Sequence, residues 1–375
     1  MATGRRPPAA GREELADAAQ PPTLCSGDHS NLLGRRSTRA SIPANPSPVP
    51  GPMLSARFKP YHVPIFLAKY AYLTVRRRPI LVHFEVTMRC NARCGFCDYW
   101  KTPAEAKEHE LKSFADAARF FNPMMVTFTG GEPTLRRDLE DLVSAVSRAI
   151  RIKYITMITH GGMLTPERAW SLWQAGINQF NISLDYLDGR HDTARGIPGL
   201  TAKIFRNTEA MRAKGIDSIR FNAVIKDDNL DQIMPIAERA AEMKCGVNFS
   251  VYTDSKNGNR SHLVRDEQLA TIDRLVADLL AFKRRRRGII TNSDYYIEQI
   301  PRYVRGEMKE PCQAGIRTIH IDPTGHVKRC PDFPVDFHWT EFKDYKPIDC
   351  NACYYACRGE AQAPLRLSRV RDVMA

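Results

Sequence analysis

Residues 80–97 read Ile80-Leu-Val-His-Phe-Glu-Val-Thr-Met-Arg-Cys90-Asn-Ala-Arg-Cys94-Gly-Phe-Cys97. A short run rich in β-branched and aromatic residues passes directly into a loop carrying three thiols. The run has the length and composition of a strand in a parallel sheet, and a loop at the C-terminal end of such a strand is where barrel folds house their chemistry. Five further runs of this kind follow, at 125–129, 154–159, 179–184, 218–225 and 247–252. They alternate with stretches bearing apolar residues at three- and four-residue spacing, at 111–121, 135–150, 166–175, 200–214, 231–244 and 267–282. Six strand–helix units predict an α/β fold, an incomplete parallel (β/α)6 TIM-type barrel.

Beyond residue 287 the alternation breaks into short strands, prolines and cysteines, which predicts a small cysteine-rich α+β C-terminal domain. Upstream, residues 1–52 hold nine prolines and few large apolar residues, so they cannot offset the entropy of ordering. The expected organisation is a disordered tail at 1–52, a basic amphipathic lead-in at 53–79, the barrel at 80–287 and the C-terminal domain with a basic tail at 288–375.

The chain has 375 residues, 43% of them hydrophobic, enough for a full core. No apolar run approaches the roughly 20 residues of a membrane span, and the sequence reads as cytoplasmic. In a reducing compartment its ten cysteines stay as thiols, and eight of them fall into two groups, which favours metal ligation over disulfides. Cys25 and Cys245 read as incidental.

Three soft ligands, Cys90, Cys94 and Cys97, suit an iron–sulfur cluster. A cubane accepts four cysteines, so three leave one iron open to a substrate or cofactor. Zinc is the competing occupant, but it needs a fourth ligand, and no His or Cys follows within the short loop.

With Phe96 as the aromatic residue before the third cysteine, the loop resembles the signature of the radical S-adenosylmethionine (radical SAM) enzymes. Further elements of that family fall at the ends of successive predicted strands. Gly130-Gly131-Glu132-Pro133 resembles the glycine-rich element that holds the amino group of the methionine moiety, the glycines allowing a close backbone approach to the ligand. Asn181-Ile-Ser183-Leu-Asp185 ends the fourth strand, and His191-Asp192-Thr-Ala-Arg195-Gly196 resembles the segment whose arginine meets the cofactor carboxylate. The resemblance implies ribose and carboxylate contacts from Ser183, Asp185 and Arg195, and adenosyl contacts from Asn222 and Val224. Where many relatives read Thr-Asn-Gly, this chain has Thr159-His160-Gly161-Gly162. His160 either takes over that polar role or is a structural histidine.

The resemblance implies a [4Fe–4S] cluster that binds S-adenosylmethionine, a cytosolic electron donor such as flavodoxin or ferredoxin, and a 5′-deoxyadenosyl radical that abstracts hydrogen from substrate. The cofactors carry the hard chemistry and the protein binds and orients them. Glu132 and Asp185 are then positioning groups, and the sequence assigns no proton-transfer residue.

The second group is Cys312, Cys330, Cys350, Cys353 and Cys357. Asp322-Pro-Thr-Gly325 reads as a turn joining strands at 318–321 and 326–328. The arrangement resembles the SPASM/twitch extension of the same family. It implies one auxiliary [4Fe–4S] cluster held by Cys312, Cys330, Cys350 and either Cys353 or Cys357, with a structural zinc ribbon as the alternative.

The net charge of +13 is concentrated: residues 53–82 hold six bases and no acid, and residues 283–287 hold five more. The first stretch reads either as a helix lying on a membrane surface or as one closing the barrel floor. The second lacks interleaved aromatics and reads as a solvated helix end, so nucleic acid is not expected as a partner. Three substrate classes stay open: a lipid or lipid-linked molecule, a ribosomal peptide and a small polar metabolite. A non-catalytic iron–sulfur scaffold or electron carrier is the non-enzymatic alternative.

Overall fold

Helix α1 (His62–Val75) leads into strand β1 (Leu81–Thr87), which is buried from Val82 on while its residues alternate between apolar and polar. The computed structural model describes residues 62–102 and 111–364, so the expected tail at 1–52, Cys25 and the basic end from 366 lie outside the described residues. On β1, Val82, Phe84 and Val86 are fully buried against the outer helices, Phe84 meeting the Phe114 ring edge-on at 5.4 Å. The alternate residues His83, Glu85 and Thr87 face the other way, into the lumen.

The chain continues through α2 (Leu111–Phe121), β2 (Met125–Gly130), α3 (Leu139–Ala149), β3 (Tyr154–Thr159), α4 (Pro166–Ala175), β4 (Gln179–Ser183), α5 (Gly189–Arg195), α6 (Leu200–Ala213), β5 (Ile219–Ile225), α7 (Leu230–Glu242), β6 (Gly246–Val251) and α8 (Leu269–Arg285). All five pairings along β1 to β6 are parallel and follow chain order, which is the expected six-unit partial barrel. Then come α9 (Asp294–Val304), β7 (Thr318–Ile321), β8 (His326–Lys328), β9 (Phe337–His338) and α10 (Ala356–Gln362).

The predicted 318–321/326–328 hairpin forms with those bounds. It belongs to the barrel's own sheet: β7 pairs in parallel with β1, from Leu81 opposite Thr318 to Phe84 opposite Ile321, and β8 and β9 extend the sheet antiparallel. Ile319 and Ile321 continue the outward apolar face while His320 points inward beside His83.

Local capping explains the departures from the expected helices. The stretch predicted helical from 135 starts at Leu139, because Pro133–Leu135 forms a single 3-10 turn. Arg136 is then extended and donates to the Val86 carbonyl. Helix α5 was not expected; Asp188 caps its start, and Gly196, with φ of 64°, ends it. Ser293 caps α9, another helix missed in the cysteine-rich region.

Helix α1 closes the barrel floor. Lys69 Nζ donates to Asn122 Oδ1 and to the carbonyls of Pro123 and Ile152, just ahead of β2 and β3. Tyr70 OH accepts from Arg317, just ahead of β7, and Leu73 is 1% exposed. Its outer side leaves Ile65, Leu67, Tyr72 and Val75 exposed. Among the described residues no helix is long and apolar enough to cross a membrane.

Candidate active site

The three-cysteine loop leaves β1 at Thr87 and is pinned on two sides. Gly131 N–H donates to the Thr87 carbonyl and Glu132 N–H to that of Arg89, both at 2.8 Å. Arg93 N–H donates to the Arg195 carbonyl, also at 2.8 Å. The first pair of bonds gives the glycine pair a structural role within the chain itself. A Cβ at Gly130 would lie 2.3 Å from the Thr87 oxygen, and one at Gly131 would lie 2.1 Å from that of Arg89. The glycines let the cysteine loop's own backbone come close, and so set where the loop stands over the barrel.

Glu132 is 1% exposed and its carboxylate is saturated by the chain itself. Oε1 accepts from Thr134 N–H, Thr134 Oγ1 and Thr159 Oγ1, and Oε2 from His160 N–H. His160 Nδ1 accepts from Gly162 N–H, so Nε2 carries the hydrogen, 2.8 Å from Asn91 Oδ1 in the cysteine loop. Burial lowers the His160 pKa. The histidine that replaces the usual asparagine thus ties β3 to the loop as a neutral strut, and Pro133 is buried in the turn that follows Glu132.

Across the site, Asp185 is fully buried: Oδ1 accepts from Val224 N–H at 2.9 Å and Oδ2 from Arg195 Nη2 at 2.6 Å. Burial alone would raise the Asp185 carboxyl, but Arg195 and Lys226 outweigh it and lower its pKa. The Arg195 guanidinium in turn has Nη1 3.8 Å from Cys94 Sγ and stands over the Phe96 ring, 5.1 Å from its centroid. Arg195 Nε and Asn222 Oδ1 are buried without a hydrogen-bond partner, and Ser183 pairs with Asn222 across the β4–β5 ladder. A guanidinium N–H at the end of α5 and an amide oxygen on β5, both left unpaired, suit a bound zwitterionic nucleoside. Burial pushes the Cys90 thiol up to about 11 and raises that of Cys94 despite Arg195. A metal must therefore displace protons to bind here.

The profile of the radical SAM superfamily matches residues 84–240. A probable GTP 3′,8-cyclase of Thermoplasma volcanium is 30% identical over 267 residues, covering 68% of this chain and 80% of its own. This chain belongs to the radical SAM superfamily. An AdoMet-dependent heme synthase of Nitratidesulfovibrio vulgaris is 30% identical over 162 residues, 42% of this chain and 43% of its own. Streptococcus suis SuiB bound to S-adenosylmethionine has the same fold, with a TM-score of 0.58 at 17% identity over 75% of this chain and 69% of its own.

A radical SAM enzyme binds a [4Fe–4S] cluster and S-adenosylmethionine, and needs a reductant and a substrate. The groups left open to such a ligand are Arg195 Nε and Asn222 Oδ1, Arg195 standing beside Cys94 of the three-cysteine loop. Several residues of this site were not picked out from the sequence. Lys226 is fully buried, with Nζ 4.7 Å from the Phe96 centroid and donating to Tyr186 OH. His191 accepts from Asp185 N–H through Nδ1. Tyr99, two residues past Cys97, donates to Glu85 at 2.9 Å. The lumen residues did leave a signal, since His83 and Glu85 alternate with apolar residues on a strand buried on both faces.

Among the C-terminal cysteines the structure brings neighbours together in pairs. Cys312 N–H donates to the Ile348 carbonyl, which draws the 312 and 350 segments together. Burial pushes the Cys330 and Cys357 thiols up to about 12 and raises those of Cys312 and Cys353. Cys312 lies near Cys350 and Cys357, and Cys330 near Cys353 and Cys357, so ionising one thiol of a pair opposes ionising the other. Cys245 lies apart, buried between α7 and β6.

Proposed function

We propose that this enzyme reductively cleaves S-adenosylmethionine above the barrel and acts on a polar substrate held in the lumen below. When bound, the cluster and S-adenosylmethionine supply the 5′-deoxyadenosyl radical that abstracts hydrogen from substrate. The chain's own residues hold and shield: Arg195 and Asn222 offer the unpaired donor and acceptor, Ser183 and Val224 line the strand ends, and Lys226 with Arg195 brackets Phe96. The observation that carries the reading is that two unpaired buried groups, Arg195 Nε and Asn222 Oδ1, belong to the same strand-end site as the three-cysteine loop.

Lumen chemistry favours a polar substrate over a lipid, because Thr127, Thr156, Gln179 and Asn181 are buried polar residues facing inward. A relative named for GTP points the same way. We read the C-terminal cysteines as one auxiliary [4Fe–4S] site held by Cys312, Cys330, Cys350 and Cys353 or Cys357, and a flavodoxin or ferredoxin as electron donor. Anaerobically reconstituted, dithionite-reduced protein mixed with S-adenosylmethionine should release 5′-deoxyadenosine, measured by liquid chromatography and mass spectrometry. Cys94→Ala should release none. An iron-loaded wild type that forms no such nucleoside leaves the electron-carrier alternative in its place.

Peripheral membrane contact through α1 is a second reading, supported by the exposure of Ile65, Leu67, Tyr72 and Val75 beside Arg76, Arg77 and Arg78. Each arginine near an anionic surface contributes at most about 1 kcal/mol. Sedimentation with anionic liposomes at low salt, weakened by Gln at all three positions, is the expected result. No sedimentation at any salt concentration leaves α1 as a barrel floor alone.

A further inference from the structure

We propose that His320 contacts substrate, its Nε2 accepting a hydrogen bond from a hydroxyl or N–H group of a polar molecule in the lumen. The proposal deepens the reading just given and rests on it. His320 reaches the lumen from β7, directly opposite His83 of β1, and the two imidazoles stack with centroids 4.3 Å apart and planes 12° from parallel. Glu85, fully buried on the same inward side of β1, accepts from three groups: His320 Nδ1 at 3.1 Å, Tyr99 OH at 2.9 Å and Lys328 Nζ at 2.5 Å.

Burial alone would raise the Glu85 carboxyl, but the His320 hydrogen bond and the Lys328 charge outweigh it and bring its pKa down to about 2. An ionised carboxylate only accepts, so His320 Nδ1 carries the hydrogen. Burial keeps the ring neutral, which leaves Nε2 a bare lone pair. That atom is buried without a partner, and so is Nε2 of His83. Buried acceptors are normally satisfied, and this one has its direction and tautomer set by the Glu85 carboxylate that also holds Tyr99 and Lys328.

The Glu85 partners adjoin both cysteine groups in sequence. Tyr99 is two residues past Cys97, and Lys328 is two residues before Cys330. A bare lone pair gains nothing from a methylene chain and repels an anionic oxygen, which selects a hydroxyl, amine or amide donor.

The test uses reconstituted holoprotein with saturating S-adenosylmethionine and four probes: GTP, D-ribose, a serine-containing heptapeptide, and squalene in detergent. At least one polar probe should stimulate 5′-deoxyadenosine formation, and squalene should not. For the stimulating probe, His320→Leu should raise KM about tenfold or more, with a smaller change in kcat. His320→Gln, which restores an acceptor oxygen, should bring KM back to within about threefold of wild type. Iron content and the cluster's electron paramagnetic resonance response to S-adenosylmethionine report folding and test the underlying reading separately. Stimulation by squalene or by none of the polar probes overturns the proposal. So does an unchanged KM in His320→Leu, or a Gln variant as impaired as the Leu variant.

Discussion

The Cys90–Cys97 loop and the Cys350–Cys357 loop carry the same ligand chemistry on different supports. Around the first, polar groups are left unpaired: Arg195 Nε and Asn222 Oδ1. Around the second they are spent. The Ala352 carbonyl accepts from Thr253 Oγ1 and Tyr303 OH, the Cys353 carbonyl accepts from Arg358, and Tyr354 stacks between Tyr296 and Tyr303. Among the described residues no unpaired buried side-chain atom falls within 350–364. An open ligand environment belongs to a site that takes a cofactor or substrate, and a closed one to a site that stays coordinatively complete.

The sharpest way to break this contrast is to delete each group in turn. Changing Cys90, Cys94 and Cys97 together to Ala should bring 5′-deoxyadenosine below detection and remove about half of roughly eight irons per chain. Changing Cys330 and Cys353 should remove the other half and leave the cluster's spectroscopic response to S-adenosylmethionine in place. Zinc in the second site would correct its chemistry without touching the difference in openness.

A smaller effect sharpens the open side. Arg195→Ala should weaken S-adenosylmethionine binding by about 1.5–3 kcal/mol, from loss of a charge-assisted contact. It should also destabilise the fold by about 3 kcal/mol, because Asp185 would be buried without its cation. Adding Asp185→Asn should restore the melting temperature but not the affinity. Unchanged affinity in a spectroscopic titration removes Arg195 from the cofactor site.

The smallest effect concerns pH. His191 is fully buried, and burial, with Arg195 adding to it, lowers its pKa from 6.5 to about 4. The unfolded chain therefore binds the extra proton first, so stability is complete above pH 6.5 and declines as pH falls towards 4. By pH 5 the loss is roughly 2 kcal/mol. His191→Gln should flatten the fall in melting temperature between pH 7 and pH 5; an equally steep fall would show that other groups carry it.

Much of this was legible along the chain because it is local. The hairpin bounds at 318–321 and 326–328 follow from alternation and a Pro-Thr-Gly turn, and α4 follows from a Thr165 cap, Pro166 and a closing Gly176. The missed start of α3 has an equally local cause, but one set by a partner far away: Arg136 is held extended by a carbonyl on β1.

The amino-acid order by itself determined the six-unit alternation and the two cysteine groups, since strand and helix periods and ligand spacings are properties of neighbouring residues. Only the tertiary structure decided what they meet. Glu85 and His320 are 235 residues apart and share a hydrogen bond because β1 still had an edge free for β7. Glu132 turned out to be saturated from within, Asp185 to be the counter-ion of Arg195, and the glycine pair to make room for the chain's own backbone. Each of these outcomes depends on which backbone edges and buried charges remain uncompensated once the barrel closes, and no local pattern records that remainder.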